Sequence, residues 1–295
     1  MFGQMKKYLI LIPVYNDWAS LFELLKNIDE EASNKNIQVS VMAINDSSTE
    51  EMLEMNNNFF NLQSVKILNL INNGGHCHAI ATGLKYAHQN FDFDYIIPMD
   101  GDGEDRPEEL KKFFDLVDSS SPEIITANRV KRSEGPVFRA CYVAHKFLTY
   151  LMTGKMIKFG NYSCLSKSAV EKILSNGSVW LSFSGSIAKN FSSIRFIESA
   201  RGTRYFGPSK MSFFRLAKHS LSISATFRET IFLRSAMLAM LFTFAAHYSS
   251  SYFLIPAMLS WIFMLFMFFL SRNDDMKKLE ESSNNIKELS VLYDR

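Results

Sequence analysis

Short apolar runs alternate with segments of helical periodicity through the first 130 residues, and this alternation restricts the fold strongly. Between the runs, apolar residues recur three and four positions apart, as in Leu21, Leu24, Leu25 and Ile28, which is the spacing of an amphipathic helix. This order predicts βαβ units in an open, doubly wound, mostly parallel α/β sheet. The predicted strands are residues 8–14, 39–44, 65–70, 95–99 and 124–127.

Polar residues follow the predicted strands at the turns into the next helix. They are Asn16–Asp17, Asn45–Asp46, Asn73–Gly75 and Asp100–Asp102. Parallel strands end at the same edge of a sheet, and the ligands of such sheets bind beyond that edge. We therefore expect these turns to gather into one site.

The turn after the fourth predicted strand is unusually acidic. Residues 95–108 read YIIPMDGDGEDRPE and place Asp100, Asp102, Glu104 and Asp105 within six positions. Acids this close repel one another unless a positive group lies among them. Carboxylates that share a cation with substrate phosphates are a usual way for a protein to hold Mg²⁺ or Mn²⁺. The other interpretation is a solvated acidic turn, capped by Asp105, before the next helix.

Composition and motifs argue against several classes of protein. The formal net charge of +2 over 295 residues gives no support for bulk nucleic-acid binding. No G-x-G-x-x-G follows the first strand and no G-x-x-x-x-G-K-[ST] occurs, so neither a dinucleotide-binding Rossmann protein nor a P-loop protein is favoured. The three cysteines are far apart and odd in number, which indicates neither a disulfide framework nor a zinc knuckle. The sequence His76-Cys77-His78 could ligate a metal, but a turn or helix start is the favoured interpretation.

Four motifs occur in an order typical of one enzyme family. IPVYND lies at 12–17, INDSS at 44–48, an N-x-G-x-x-x-A-x-x-x-G pattern at 73–83, and MDGDGEDRPEEL at 99–110. Together they resemble the family 2 glycosyltransferases, which have a GT-A fold. The set is most similar to the branch of dolichyl-phosphate mannose synthase and the bacterial polyprenyl-phosphate glycosyltransferases. The resemblance covers roughly residues 6–215.

This resemblance implies a nucleotide-sugar donor, UDP- or GDP-linked, and a divalent cation, Mg²⁺ or Mn²⁺. It assigns the cation to Asp100 and Asp102, and it places Glu104 and Arg129 with them as catalytic residues near the metal and the phosphates. Asn45 stands where the family usually has an acid. The residues that the resemblance assigns to donor binding are Pro13, Tyr15, Asp46, Asn73, Gly75, Arg204, Ser209 and Lys210.

The last third of the chain changes in character. Residues 211–230 mix aromatic and basic side chains in the pattern of an amphipathic interfacial helix. Residues 231–248 and 252–270 are apolar runs close to the length that crosses a bilayer. Lys and Arg flank the pair on both outer sides, which predicts that both ends lie in the cytoplasm of a multi-pass inner-membrane protein. The predicted domains are a GT-A catalytic domain (1–210), the interfacial segment (211–230), a transmembrane hairpin (231–271) and a cytoplasmic tail (272–295).

The acceptor is predicted in part from the absence of an acidic residue late in the domain. Family 2 enzymes that act on sugar hydroxyls commonly carry an acidic pair late in the domain, which serves as the general base that a hydroxyl needs. The matching residues 178–189 contain no acid, whereas a polyprenyl phosphate is already ionised and needs no base. The missing acid, the two apolar spans and Arg129 together favour a polyprenyl phosphate as the acceptor. The resemblance implies a metal-dependent, inverting transfer in cell-envelope glycan synthesis.

Two other interpretations stay open. A sugar hydroxyl of a glycan or lipid-linked oligosaccharide could be the acceptor, with Glu104 or Asp105 as the base. A non-catalytic membrane scaffold would account for Asn45 and for the acid missing from the strand at 159–166. The oligomeric state is also open, and a homo-oligomer is compatible with the sequence.

Overall fold

Most of the chain is described by a computed structural model. The described residues are 5–33, 37–52, 58–129, 147, 149–207, 220–272 and 276–295. They include a mixed eight-stranded sheet with the strand order β7-β5-β6-β4-β1-β2-β3-β8. The strands are β1 (Lys6–Val14), β2 (Ile37–Asn45), β3 (Leu62–Leu70), β4 (Tyr95–Pro98), β5 (Ile124–Arg129), β6 (Phe159–Ser166), β7 (Arg195–Ser199) and β8 (Ile286–Asp294).

Helices cover both faces of this sheet and form a separate hairpin. They are α1 (Trp18–Glu31), α2 (His76–Asn90), α3 (Leu110–Ser120), α4 (Lys167–Leu174), α5 (Ser178–Leu181), α6 (Phe183–Asn190), α7 (Arg228–Tyr248), α8 (Leu254–Ser271) and α9 (Met276–Glu281). Short 3₁₀ turns lie at Pro107–Glu109, Ser251–Phe253 and Ser282–Asn285.

The central strands are parallel and buried between two helical layers. β3, β2, β1 and β4 run parallel, whereas β6 and β8 run antiparallel to their neighbours. Helices α1 and α3 pack on one face, where Leu21, Leu25 and Phe113 are buried. Helices α2, α4, α5 and α6 pack on the other, where Leu84 and Ile173 are buried. Apolar runs covered on both faces are typical of such strands, so the predicted doubly wound, mostly parallel sheet is confirmed.

The carboxyl ends of the parallel strands meet at one edge. Val14 lies opposite Asn45 in the register of β1 and β2. The backbone N–H of Asp46 donates to the carbonyl oxygen of Val14 at 2.9 Å, and that of Met99 donates to the carbonyl oxygen of Leu11 at 3.0 Å. The turns after β1, β2 and β4 are thereby tied together, as the alternation of strands and helices predicts.

The end of the chain returns to this sheet. β8 pairs antiparallel with β3, with Leu289 opposite Leu68. Ile286 and Leu289 pack against the core on the α2 face, and Tyr293 packs against the core on the other. The segment 272–295, which the sequence assigned to a cytoplasmic tail, therefore contains a strand of the catalytic sheet.

The sequence did not predict β8 as a strand, because it carries several charged residues. Lys287, Glu288 and Asp294 are exposed, and edge strands commonly carry charged side chains because these discourage further pairing. Hydrogen bonds also join β8 to the second strand through the third. Asn45 Nδ2 donates to Asn69 Oδ1 at 2.9 Å, and Asn69 Nδ2 donates to Ser290 Oγ at 3.0 Å.

Helices α7 and α8 form an apolar hairpin that projects from the sheet and its covering helices. By length and composition each could cross a membrane, and only 17% and 11% of their most apolar windows are buried. A core helix of a soluble protein would be mostly buried. At the base of the hairpin, Ile231 and Met267 are buried against Met152, Leu181 and Ala225 of the preceding domain. Of the expected interfacial segment, residues 211–219 lie outside the described residues, and 220–225 are helical.

The position of β8 can be tested by two matched alanine substitutions. Leu289→Ala should lower the free energy of unfolding by about 1–2 kcal/mol, because it removes apolar contacts from a partly buried site. Val291→Ala, at a side chain that is 59% exposed on the same strand, should change it by less than about 0.5 kcal/mol. Urea unfolding of the detergent-solubilised protein measures both. Equal, negligible effects would mean that this segment does not pair with β3.

Candidate functional site

The loop after β4 separates its acids into two roles. Asp105 is buried, and its Oδ2 accepts a hydrogen bond from the backbone N–H of Asp100 at 2.9 Å. Asp102 Oδ1 accepts from the backbone N–H of Glu104 at 2.9 Å. Asp105 therefore folds the loop, and Asp100 and Asp102 present partly exposed carboxylates at the carboxyl edge of the sheet.

A histidine from the next loop lies against the first of these carboxylates. His76 is the first residue of α2, and its Nε2 lies 3.3 Å from Asp100 Oδ1. The side-chain amide of Asn161, on β6, lies 2.7 Å from the same ring nitrogen. Desolvation by the surrounding loops lowers the pKa of His76, although Asp105, Asp102 and Asp46 oppose this. The imidazole is therefore predominantly neutral at neutral pH and can accept a hydrogen bond or donate electrons to a cation.

Arg204 lies between two carboxylates from distant parts of the chain. Its Nη2 donates to Asp17 Oδ2, at the start of α1, at 2.8 Å, and its Nη1 donates to Asp102 Oδ2. All three side chains are largely buried. Arg201 Nη2 donates to Glu104 Oε2 at 2.5 Å. Two guanidinium groups thus supply the positive charge that the acidic loop needs. The contact with the donor that the resemblance assigns to Arg204 stays a prediction.

The segment 200–207, which carries both arginines, is held on the acidic loop by its backbone. The N–H of Gly202 donates to the carbonyl oxygen of Glu104 at 2.9 Å, and the N–H of Tyr205 donates to that of Asp102 at 3.0 Å. A Cβ on Gly202 would lie 2.2 Å from the carbonyl oxygen of Gly103, so only glycine allows this approach. The phenol of Tyr205 accepts from Asn27 Nδ2 at 2.9 Å and ties the segment to α1.

Asp46 has a structural role at the same edge. It is buried, and its two carboxylate oxygens accept the backbone N–H groups of Gly74 and Gly75 at 2.8 Å each. Asn73 Nδ2 donates to the carbonyl oxygen of Asp46 at 3.0 Å. Gly75 has a φ of +85°, a conformation that favours glycine. The nucleoside contact that the resemblance assigns to Asp46 stays a prediction, and the structure shows that this residue orders the Asn73–Gly75 turn.

The remaining residues assigned to the site are placed in part. Pro13 is buried at the end of β1, and the side chain of Tyr15 beside it is 43% exposed at the edge of the site. Arg129 is the last residue of β5, and its side chain lies outside the described structure. Ser209 and Lys210 also lie outside the described residues.

The site residues suit a divalent cation. In the described part of the chain, no three His, Cys, Asp or Glu side chains already converge in the geometry of a metal site. Two hard carboxylates on one loop are nevertheless the protein share of a site that substrate phosphates and water complete. Asp100 and Asp102 fit that role, and the His76 nitrogen beside Asp100 suits Mn²⁺ better than Mg²⁺.

Cys77 does not contribute a thiolate to the site. Burial raises its pKa to about 11, so the group is a neutral thiol at neutral pH. It follows His76 within the first turn of α2, which confirms that the His76-Cys77-His78 sequence is a helix start.

Serines occupy the region where a general base would be expected. Helices α5 and α6 contain no acidic residue. Their serines are buried, and they serve the fold: Ser182 caps α6 by accepting from the backbone N–H of Gly185 at 3.1 Å, and Ser178 Oγ donates to Ser186 Oγ at 3.0 Å. Nothing on these two helices can take a proton from an acceptor hydroxyl.

Several site residues were not assigned from the sequence. They are Asp17, His76, Asn161 and Arg201. His76 contacts Asp100 and Arg201 contacts Glu104, whereas Asp17 contacts Arg204 and Asn161 contacts His76. In each of these pairs the two residues lie far apart along the chain. Two of them carried a signal in the sequence, because Asp17 belongs to a strand-end turn at the predicted edge and His76 lies in a His-Cys-His sequence of possible metal ligands.

The close approach of segment 200–207 to the acidic loop can be tested by adding a single Cβ atom at Gly202. Gly202→Ala should displace the segment and separate Arg204 from Asp102. The affinity for the nucleotide that the resemblance implies should then fall at least about tenfold, the equivalent of 1.4 kcal/mol. Thr203→Ala changes an exposed neighbour and should leave the affinity within about twofold, as expected for a surface substitution. Titration with UDP and Mn²⁺ measures both, and equal affinities would contradict the contact.

Comparisons with known proteins agree with this architecture. Residues 9–168, more than half of the chain, match the family described as Glycosyl transferase family 2. The chain is 28% identical over 221 residues to undecaprenyl-phosphate 4-deoxy-4-formamido-L-arabinose transferase of Klebsiella pneumoniae (strain 342), and the match covers 72% of this chain and 64% of that protein. It is 24% identical to the protein of the same name from Proteus mirabilis, over 73% of this chain and 66% of that protein. The chain thus spans less than two thirds of these relatives.

Solved structures share the fold at low sequence identity. S. aureus TarS 1-349 superposes with a TM-score of 0.50 at 15% identity, covering 95% of this chain and 87% of that one. Glucosyl-3-phosphoglycerate synthase from Mycobacterium tuberculosis, in complex with Mn²⁺, UDP-glucose and phosphoglyceric acid, superposes with a TM-score of 0.53 at 11% identity, covering 78% and 84%. The sheet is of the GT-A type, and the chain belongs to glycosyl transferase family 2.

Proposed function

We propose that this protein is a membrane-anchored glycosyltransferase that moves a sugar from a nucleotide-sugar donor to a polyprenyl-phosphate acceptor. One observation carries the proposal. The acidic loop and its two arginines lie at the ligand-binding edge of a GT-A sheet, and the same chain builds an exposed apolar hairpin. A polar transfer site and a membrane anchor in one chain suit a water-soluble donor and a lipid acceptor.

The comparisons support the choice of substrates. The named relatives are undecaprenyl-phosphate sugar transferases, which supports a polyprenyl phosphate as acceptor. The structural neighbours were solved with UDP-sugars, and one of them with Mn²⁺, which supports a UDP-sugar donor and a divalent cation. We also propose that the product belongs to cell-envelope glycan synthesis.

The mechanism is a single displacement with inversion. An oxygen of the acceptor phosphate bonds to the anomeric carbon of the sugar, and the bond from that carbon to the nucleoside diphosphate breaks. Asp100 and Asp102 would hold Mg²⁺ or Mn²⁺, which supplies positive charge to the leaving diphosphate. Arg204 supplies a preorganised positive charge from the protein beside the same loop.

No proton has to be removed from the acceptor. A phosphomonoester loses its second proton near pH 6, so the attacking oxygen is ionised at neutral pH. The resemblance places the base of a hydroxyl-acceptor enzyme within residues 178–189, and helices α5 and α6, which lie there, contain no acidic residue. Of the two other acids, Glu104 is paired with Arg201, and Asp105 is buried against the backbone of Asp100. These contacts argue against either acid as a base for a sugar hydroxyl.

The sheet determines the topology of the proposed anchor. β8 follows the hairpin and pairs with β3, which precedes it. If α7 and α8 cross the bilayer, the chain must therefore cross twice and return to the side of the catalytic domain. The basic residues that flank the hairpin support a cytoplasmic location for that side. We propose that the two ends of the chain form one catalytic unit and that the hairpin is inserted between them.

The function is tested by product analysis. Membranes that contain the protein are incubated with a panel of nucleotide-sugars and polyprenyl phosphate, and the lipid fraction is analysed by mass. We expect one lipid whose mass equals polyprenyl phosphate plus a sugar residue. Transfer only to a lipid-linked oligosaccharide would support the hydroxyl acceptor, and nucleotide binding without any transfer would support the scaffold.

The metal assignment predicts a matched pair of variants. Asp102→Asn should abolish Mn²⁺-dependent UDP binding and turnover, because the amide is a weaker ligand for a hard cation. Asp115→Asn, on the exposed face of α3, should behave as the unaltered protein. Calorimetric titration of UDP with and without Mn²⁺ distinguishes them. Undiminished activity of Asp102→Asn, or of the unaltered protein in excess chelator, would refute the assignment.

The identity of the acceptor predicts a pH profile and two opposed variants. With a phosphate acceptor, the rate should rise through about pH 6 and stay level above it. Arg129→Ala should lower kcat/KM about ten- to a hundredfold, because a charge-assisted contact contributes roughly 1.5–3 kcal/mol. Glu104→Gln should keep substantial activity. An inactive Glu104→Gln together with a nearly normal Arg129→Ala would identify Glu104 as a base and a hydroxyl as the acceptor.

A further inference from the structure

The sequence His76-Cys77-His78 opens α2, and only its first histidine contacts the acidic loop. Side chains two positions apart on a helix point about 200° apart, so His78 faces away from that loop. It lines a cavity of about 320 Å³ beyond the end of β3. We propose that this cavity, which we call the α2 pocket, binds a single sugar ring at a site separate from the transfer site.

The walls of the α2 pocket come from four parts of the chain. The turn after β3, helix α2, helix α5 and the C-terminal segment contribute Asn73, His78, Trp180, Lys278 and Glu281, among others. Of the described residues that line the pocket, none belongs to the acidic loop. That loop follows β4, which is three strands away from β3 in the sheet, so the ends of the two strands lie about 14 Å apart.

The C-terminal segment is fixed against the rest of the pocket. Asn285 Oδ1 accepts from the backbone N–H of Asn72 at 2.9 Å, and Asn285 Nδ2 donates to the carbonyl oxygen of Asn72 at 2.9 Å. The N–H of Ile71 donates to the carbonyl oxygen of Asn285 at 2.8 Å. On α2, Lys85 Nζ donates to the carbonyl oxygen of Leu279 at 3.0 Å. Walls that are ordered before a ligand arrives reduce the entropy that binding costs.

The polar groups of the pocket suit hydroxyl groups. Asn73 Nδ2 donates to the carbonyl oxygen of Asp46 at 3.0 Å, and Asn72 Nδ2 donates to Asn285 Oδ1 at 3.2 Å. Because both amide nitrogens already donate within the protein, the amide oxygens are the groups that a ligand can use. The ammonium of Lys278 adds a donor to these acceptors. Each hydroxyl of a sugar both donates and accepts, so a sugar ring can use both kinds of group.

The charges of the pocket argue against an anionic ligand. Lys278 and Glu281 lie three residues apart on α9, and both are exposed. A phosphate or a carboxylate beside Lys278 would therefore also lie near the carboxylate of Glu281, and like charges repel. A neutral polyol does not incur this cost, and it can bond to both side chains.

An aromatic wall completes the pocket. The rings of His78 and Trp180 are stacked, with centroids 4.1 Å apart and planes at 10°, and Leu70 and Thr82 are buried beside the pocket. The C–H groups of a sugar ring form an apolar face that can pack against such a wall. Small-molecule sites combine an apolar lining with a few polar groups, and 320 Å³ lies at the lower end of their usual range of about 300–1,000 Å³. The volume thus suits one ring.

The α2 pocket shares a wall with the transfer site. Asn73 and Gly74 line the pocket, and Asp46 holds the same turn from the other side. A sugar in the pocket would therefore lie against the turn that the resemblance assigns to donor binding. The proposal goes beyond the proposed function, because the ligand is neither the donor nor the acceptor and its binding requires no transfer.

Saturation-transfer difference NMR on the full chain in nanodiscs tests the proposal. The probes are D-glucose, D-galactose and N-acetyl-D-glucosamine, each as the free sugar and as its methyl glycoside, which distinguishes a free sugar from one linked through its anomeric carbon. Glu281→Gln and Lys278→Gln change the pocket. Glu280→Gln is the matched control, because Glu280 is exposed next to Glu281 and does not line the pocket. The pair of Glu281 with Lys277, 3.7 Å apart, is exposed and contributes little to stability.

We expect at least one probe to bind. Glu281→Gln and Lys278→Gln should each raise its Kd about three- to tenfold, as for the loss of one hydrogen bond. Glu280→Gln should leave the Kd unchanged, and so should Asp102→Asn, because the acidic loop does not line the pocket.

Three results would overturn the proposal. They are a lack of binding by every probe, pocket variants that both bind as Glu280→Gln does, and loss of binding in Asp102→Asn, which would assign the sugar to the transfer site. Analysis of the lipid products reports on transfer separately. Sugar binding that persists in a protein without transfer would refute the proposed function and leave the α2 pocket in place.

Discussion

The guanidinium of Arg204 neutralises the carboxylates of Asp17 and Asp102, which would otherwise repel one another. It lies between Asp17 and Asp102 with little access to water, where an ion pair is screened much less than at the surface. Removal of one partner from such a pair leaves a buried charge uncompensated, and this is costly. The start of α1, the loop after β4 and the segment 200–207 therefore depend on one another for their positions. The site is assembled only when all three are in place.

Arg204 occupies part of the position that a divalent cation would take at Asp102. Both oxygens of this carboxylate accept hydrogen bonds, one from Arg204 and the other from the backbone of Glu104. Coordination of a cation by Asp102 would have to replace or share one of these bonds. The donor diphosphate would bring negative charge to the same place, so cation, diphosphate and arginine are expected to rearrange together.

The chain is organised around an interruption. Seven strands of the sheet precede residue 207 in the chain, and the hairpin α7–α8 follows. After the hairpin the chain returns to the sheet, where β8 pairs with β3. This arrangement holds the base of the hairpin against the catalytic domain on both sides. It fixes the hairpin relative to the polar edge of the sheet.

The sequence alone determined the class of sheet, the edge at which the polar turns gather and the acidic loop, because these follow from local periodicity and from residues adjacent along the chain. It also located the two apolar helices by length and composition. Only the tertiary structure placed β8 in the sheet, since its charged residues resemble those of a solvated tail. Likewise, only the fold brought His76 and Arg201 to the acids of one loop. Contacts between residues so distant along the chain depend on how the layers pack, and no local pattern encodes them.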